Sequence, residues 1–562
     1  MAETNTAWLG IDLGTQSVRA LAVTGDGTVL GSGTAPLAGR RDGGRHEQDP
    51  GQWWRAVCEA SRAAMTAVPG VRIAGLAVCG TSGTVLLTDT SGRPTSPALM
   101  YDDTRATAEA AQLREAGLTV QDTWALPKAL WLTEAGGRGP TVARGRGPME
   151  AGGPGSAEAG GRGPTVARGP GSMEAGGRGL TEARRPGSRE VPGPGSAEAR
   201  DPGPTQAHGP RLTESRRPGR VTHQPDVITA RLVGRPVPTD SSHALKTAYD
   251  VQREAWPHVP GLPEGALPHV VRPGTRLGEV CPAAADATGI PAGTPVIAGM
   301  TDGCAAQIAA GALRPGSWNS VLGTTLVLKG AAPDPVRDPT GVVYNHRAPD
   351  GTWLPGGASS VGAGALAAAF ADADPVALDR RAAAFEPSGV LTYPLVSQGE
   401  RFPFHAPDAT ALRLGEPTED ADLWAGLLQG VAFAERLCLD YLHHLGAPLD
   451  GPLTFTGGAA RSAYWNQLRA DVLGRPARVP EQTEPALGMA ALARHGTTGI
   501  PLAQTAAHMA RIRTVVEPRP TRTALFAEPY ARLLDELTAR GWLPAPVAAH
   551  ARTRLDRDTA QS

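Results

Sequence analysis

The chain has 562 residues, 41% of them hydrophobic, and a formal net charge of -1. That length exceeds one ordinary domain and admits two or three. The near-neutral charge supplies no field that would draw the protein to nucleic acid or to an anionic membrane, so neither is expected as a partner. Five widely spaced cysteines, Cys58, Cys79, Cys281, Cys304 and Cys438, contain no C-x-x-C pair. They predict reduced thiols in a cytoplasmic protein rather than a disulfide framework or a zinc knuckle. The N-terminus shows no signal-peptide pattern, and no run of eighteen apolar residues occurs. Lysine is found only at Lys128, Lys246 and Lys329, never after a glycine, which excludes a Walker A loop.

Residues 7–14 read as a buried strand, 15–17 as a turn and 18–23 as a second strand. Asp26-Gly27 is a hairpin signal, and 28–33 returns as a third strand. Asp49-Pro50 reads as a helix cap with proline at the first helical position, opening a helix through Trp53, Trp54 and Val57 toward Met65. A strand over 73–79, a loop over 80–83 and a further strand over 84–88 follow.

Residues 135–222 differ in kind, being rich in Gly, Pro, Arg, Glu and Ala. One ten-residue segment starts at Gly136 and recurs at Gly160; another, of seven residues, starts at Gly153 and recurs at Gly193. The repeat has no apolar face to stack, so it predicts a disordered insertion rather than a solenoid. It is either a tether or a segment tolerated on a surface loop, where added length costs little entropy.

Structure is expected again from His223. Residues 295–300 read as a strand, 301–303 as a turn and 304–312 as a small-residue helix. Residues 320–328 read as strand, Gly-Thr-Thr loop and strand. A strand over 453–456, a Gly457-Gly458 turn and a helix over 464–473 closed by Gly474 come next. One helix over 528–540 and a polar tail end the chain. Alternating strands and helices predict an α/β architecture.

Three segments place glycine and small hydroxyl residues at a strand end: Asp12 to Thr15, Gly323 to Thr325, and Gly457 to Ala459. Glycine lets a phosphate approach the backbone, and amides and hydroxyls donate to it. Each alone is also an ordinary tight turn. Asp12, beside the first loop, suits Mg²⁺ through water. Asp302 follows an apolar strand and opens a helix, so it reads either as a plain cap or as a carboxylate held ionised to accept a proton.

Together these segments resemble the FGGY carbohydrate kinases of the actin/sugar-kinase/Hsp70 superfamily, over most of residues 7–495. Glu47 to Pro50 with Trp53-Trp54, Lys128 with Trp131, Gly299 to Gly311, and Glu484 with Gly488 to Ala490 support the match. The resemblance implies two actin-like (ribonuclease H-like) domains enclosing a cleft. The first is a sugar-binding domain over 1–311, carrying the insertion. The second is a nucleotide-binding domain over 312–515, and 516–562 form an extension. It implies ATP and Mg²⁺ as cofactors, a small-molecule sugar as substrate and a homodimer as one assembly. Asp12, Thr15, Gln16 and Ser17 look like the first phosphate and metal loop, Gly323, Thr324 and Thr325 like the second phosphate loop, and Gly457 and Gly458 like the adenine loop. Asp302 looks like the catalytic base.

Within the family, xylulokinases carry a Met-His pair where this chain has Ser82-Gly83. The runs 80–87, 244–250, 322–329, 356–359 and 399–403 are similar instead to D-ribulose kinases, also labelled xylulose kinase-like. There the Ser82 and Asp302 positions face the sugar. Relatives carry a third glycine and an asparagine where this chain has Ala459 and Ser462. The expected reaction is phosphorylation of D-ribulose to D-ribulose 5-phosphate, with D-xylulose or another polyol as the alternative. A non-catalytic actin-like binding protein is the rival of another class, and retention of both Asp12 and Asp302 speaks against it.

Overall fold

A computed structural model describes residues 5–137 and 219–561. Its two large sheets share one plan. The first is ordered Arg276–Glu279, Pro295–Ile297, Arg72–Gly80, Thr6–Leu13, Ser17–Thr24, Val29–Pro36. Thr6–Leu13 pairs antiparallel with Ser17–Thr24 on one side and parallel with Arg72–Gly80 on the other. The second is ordered Tyr344–Arg347, Trp353–Ser359, Leu326–Gly330, Trp318–Leu322, Leu453–Thr456, Ala477–Pro480, Ile512–Val516. Trp318–Leu322 likewise pairs antiparallel with Leu326–Gly330 and parallel with Leu453–Thr456. This duplicated mixed α/β plan is the actin-like architecture expected.

Local chemistry explains the elements. Asp26-Gly27 turns the first hairpin with Gly27 at φ +85°. Asp49 accepts a hydrogen bond from the Gly51 amide and caps the helix Pro50–Thr66. Trp53 is buried beneath that helix, and its indole donates to Gln48 Oε1 at 2.7 Å. One core joins the second sheet to the long helix Asp420–His444, and another lines the first sheet.

A third core joins chain ends far apart in sequence. The helix Pro485–Thr498 packs Leu487, Met489 and Leu492 against Trp8, Met300, Cys304 and Ile308. In sequence it lies between two strands of the second sheet, Ala477–Pro480 and Ile512–Val516, yet it packs on the first strand of the first sheet. Two glycines permit the approach. A Cβ on Gly10 would fall 1.7 Å from the Ala486 carbonyl oxygen, and one on Gly488 would fall 2.0 Å from that of Ala305.

Away from the strand ends that carry the glycine loops, the structure departs from expectation in three places. Arg220–His223 is a strand paired with Val85–Thr88, so order returns before His223 because Val221 is buried in that sheet. The expected insertion also overlaps the end of the helix Ala125–Gly137, while its remainder, 138–218, lies outside the described residues. The expected polar tail contains a helix, Ala545–Gln561, whose apolar stripe of Val547, Ala551 and Leu555 joins the core of the second sheet. All five cysteines are free thiols, and among the described residues no helix is long and apolar enough to cross a membrane.

Candidate active site

Strand ends of both sheets open onto one cleft of about 350 Å³. This is where α/β sheets place ligands, beyond the carboxyl ends of their strands. Four of the expected residues line it: Thr15, Ser82, Asp302 and Thr325. Thr15 follows the first strand, Ser82 follows Arg72–Gly80, and Thr325 turns the hairpin of the second sheet.

Asp302 is the first residue of the helix Asp302–Ala309, with Thr301 as its cap. The expected 301–303 turn is thus already helical at Asp302, and the carboxylate is not the cap itself. Its Oδ1 accepts from the Gly303 amide at 2.7 Å. Burial holds its pKa above the ordinary carboxylate value, while the Gly303 amide and the charges of Lys246, His243 and Lys329 pull it down. His243 is buried with Nδ1 at 2.6 Å from Asp240 Oδ2 and Nε2 at 3.2 Å from the Gly80 carbonyl. Both neighbours accept only, so both ring nitrogens carry protons and His243 is an imidazolium. Its pKa is raised: the Asp240 carboxylate outweighs the cost of burial.

Asp12 is buried near the end of the first strand and is not among the residues that line the cleft, and its pKa is pushed up to about 7, first by burial and next by the Asp302 charge. Cys79 Sγ lies 3.4 Å from its Oδ1. The two carboxylates therefore share one electrostatic site. Ser82 Oγ is buried and has no hydrogen-bond partner, while its carbonyl accepts from Lys246 Nζ at 3.2 Å.

The phosphate-loop residues divide. Gly323 donates its amide to the Thr325 carbonyl at 3.1 Å, and a Cβ there would meet nothing within 4 Å. Gly457 stands at φ +83°, and its Cβ would fall 2.5 Å from the Leu322 carbonyl oxygen, so the third loop lies directly beside the second. Gln16, Thr324 and Gly458 are exposed, and with Ser17 they stand outside the cleft lining. Ser462 caps the helix Ala463–Leu473 through the Trp465 amide and donates to Asp379 at 2.7 Å.

Sequence reasoning gave no role to Lys246, Lys329, Tyr344, His346 or Arg401, all of which line the cleft. A signal existed: only three of 54 basic side chains are lysine. Lys128 and Lys329 are buried, and Lys246 is partly so. Burial lowers the pKa of all three, Lys128 to about 7 and Lys246 to about 8. Among the described residues none of the three forms an ion pair with a carboxylate.

Residues 7–126 match the N-terminal domain of the FGGY family of carbohydrate kinases, and residues 318–497 match its C-terminal domain. A xylulose kinase of Streptomyces rubiginosus is 30% identical over 517 residues, covering 87% of this chain and 88% of its own. A xylulose kinase of Streptomyces coelicolor is 30% identical over 516 residues, with the same coverage. The crystal structure of a xylulose kinase from Rhodospirillum rubrum has a TM-score of 0.72 at 23% identity, covering 95% of this chain and 99% of its own, a likeness of fold. With the paired sheets and the carboxylate cleft, these matches show that the chain belongs to the FGGY family of carbohydrate kinases and is a phosphotransferase.

Proposed function

We propose that this enzyme transfers the γ-phosphoryl group of ATP to a hydroxyl of a pentulose, with D-xylulose ahead of D-ribulose. The observation that carries the reading is the convergence of Asp302 and Ser82 with Thr15 and Thr325 on one cleft. The relatives named xylulose kinase favour D-xylulose, although Ser82-Gly83 stands where xylulokinases carry Met-His. The region before residue 312 binds the sugar, and the region after it binds the nucleotide.

Asp302 accepts the hydroxyl proton as the sugar oxygen attacks, the role its place at a helix start and its partial burial suit. Thr15 and the Gly323–Thr325 loop donate to the phosphates, and Gly457-Gly458 faces the base. Mg²⁺ fits here, because burial and Asp302 both disfavour a bare charge on Asp12, and a cation would relieve that cost. Asp12 would hold it, largely through water, and the ion would supply charge neutralisation to the phosphates. Closure of the cleft would exclude water and limit wasteful hydrolysis.

The test is ADP release from Mg²⁺-ATP with D-xylulose, D-ribulose, L-ribulose, ribitol and glycerol in turn. Turnover highest on D-xylulose is expected. If no sugar raises ADP release and none binds by calorimetry, the reading fails.

A further inference from the structure

The wall of the cleft built from the second sheet holds a hydrogen-bonding unit that phosphate transfer does not require. Lys329, Gly356 and Tyr344 are register partners across three adjacent strands. A Cβ on Gly356 would fall 3.1 Å from Lys329 Cγ. Without a side chain there, the lysine crosses the middle strand and its Nζ reaches His346 Nδ1 at 2.6 Å. Tyr344 and His346, two apart on one strand, face the cleft together with their rings edge to face.

The charge state of His346 follows from these neighbours. An ammonium has three donors and no acceptor, so Nδ1 accepts from Lys329 and the ring proton sits on Nε2. Burial, reinforced by the charges of Lys329, Lys246 and His243, holds the pKa of His346 well below the usual imidazole range, so the ring stays neutral. His346 is 1% exposed, and its Nε2 has no hydrogen-bond partner. The Ser242 backbone lies near the ring without meeting Nε2 in hydrogen-bond geometry. Lys246 Nζ lies 5.8 Å and Lys329 Nζ 5.0 Å from the centre of the Tyr344 ring. This wall therefore offers donors and no carboxylate.

We propose that His346 Nε2 and Lys246 Nζ bind the carbonyl oxygen of an open-chain ketose, and that Lys329 acts through His346 as a positioning residue. A carbonyl only accepts, and it satisfies two donors at once. The corresponding hydroxyl of a pentitol brings a proton that neither His346 Nε2–H nor the Lys246 ammonium accepts, so the polyol is disfavoured. The assignment rests on the kinase reading of the cleft and adds to it the feature of the substrate that is read.

The experiment compares kcat/KM for D-xylulose and for xylitol in the wild type, His346→Leu and His346→Gln. His346→Leu should cut the ketose-to-polyol ratio by about tenfold or more, chiefly through the ketose KM. His346→Gln, which keeps an N–H donor, should restore part of it. Nitrogen NMR of the unmutated protein asks the same without a folding risk: the His346 Nε2 signal should move with D-xylulose and not with xylitol. Lys329→Met should move the His346 pKa upward, since it removes one of the charges that reinforce burial in holding it down, and should lower the ketose-to-polyol ratio, which a merely structural lysine would not do. A ratio within about twofold of wild type in a folded His346→Leu, or an Nε2 signal unmoved by D-xylulose, would overturn the assignment. A wild type without ketose-dependent turnover would overturn the kinase reading instead.

Discussion

Lys246 shows how one buried charge sets a pH dependence. Its pKa is lowered to about 8 by burial, with the Asp302 charge partly opposing the shift. The ammonium form therefore dominates below that value and is lost above it. If Lys246 binds substrate as a donor, kcat/KM for the ketose falls as pH rises through about 8. Lys246→Met should be weaker throughout and should lack that alkaline limb. Of the residues that line the cleft, Thr15, Asp302 and Thr325 were legible in the sequence because strand-end glycines and a lone carboxylate leave local marks. The Lys329–His346 unit was not: Lys329 comes from one strand and Tyr344 and His346 from another, and only the register of both strands across Gly356 brings them together.

At the scale of elements, the third loop depends on one backbone position. Gly457 lies at φ +83° against the Leu322 carbonyl, so alanine there meets both backbone strain and a clash. Gly457→Ala should cost about 2 kcal/mol in stability and raise the KM for ATP more than that for the sugar. Calorimetric unfolding and steady-state kinetics check this. The C-terminal helix shows where composition misled. Its stripe at 547, 551 and 555 is diluted among Arg, Asp, Thr and Gln, so the segment reads as polar. In the fold Arg554 Nε lies 3.0 Å from Asp440, and Arg436 Nη2 lies 2.5 Å from Asp558. Truncation after Leu543 should lower the melting temperature and increase binding of a hydrophobic dye, because the helix covers part of the core of the second sheet.

Across the whole molecule, the helix Pro485–Thr498 ties the sheets into one unit. Its capping residue Glu484 pairs with Arg19 at 2.6 Å, and Thr497 accepts from the Trp8 indole at 2.9 Å. Thr6–Leu13, which carries Asp12, and the helix that starts at Asp302 both pack against it, so site geometry and global packing are coupled. Gly488→Val would force that helix from Ala305. It should cost about 3 kcal/mol or more and lower turnover, although residue 488 does not line the cleft. The duplicated α/β plan was legible because strand–turn–strand patterns repeat in both halves. The return of this helix to the first sheet was not, since nothing local in its sequence names the partner.

The most direct test of the account is Asp302→Asn, assayed for ADP release with Mg²⁺-ATP and D-xylulose while sugar binding is followed by calorimetry. The account predicts turnover reduced by about 10²–10⁴-fold with the sugar still bound, as expected when a proton acceptor is removed from an intact cleft. Turnover within a few-fold of wild type would contradict it and require the base to lie elsewhere.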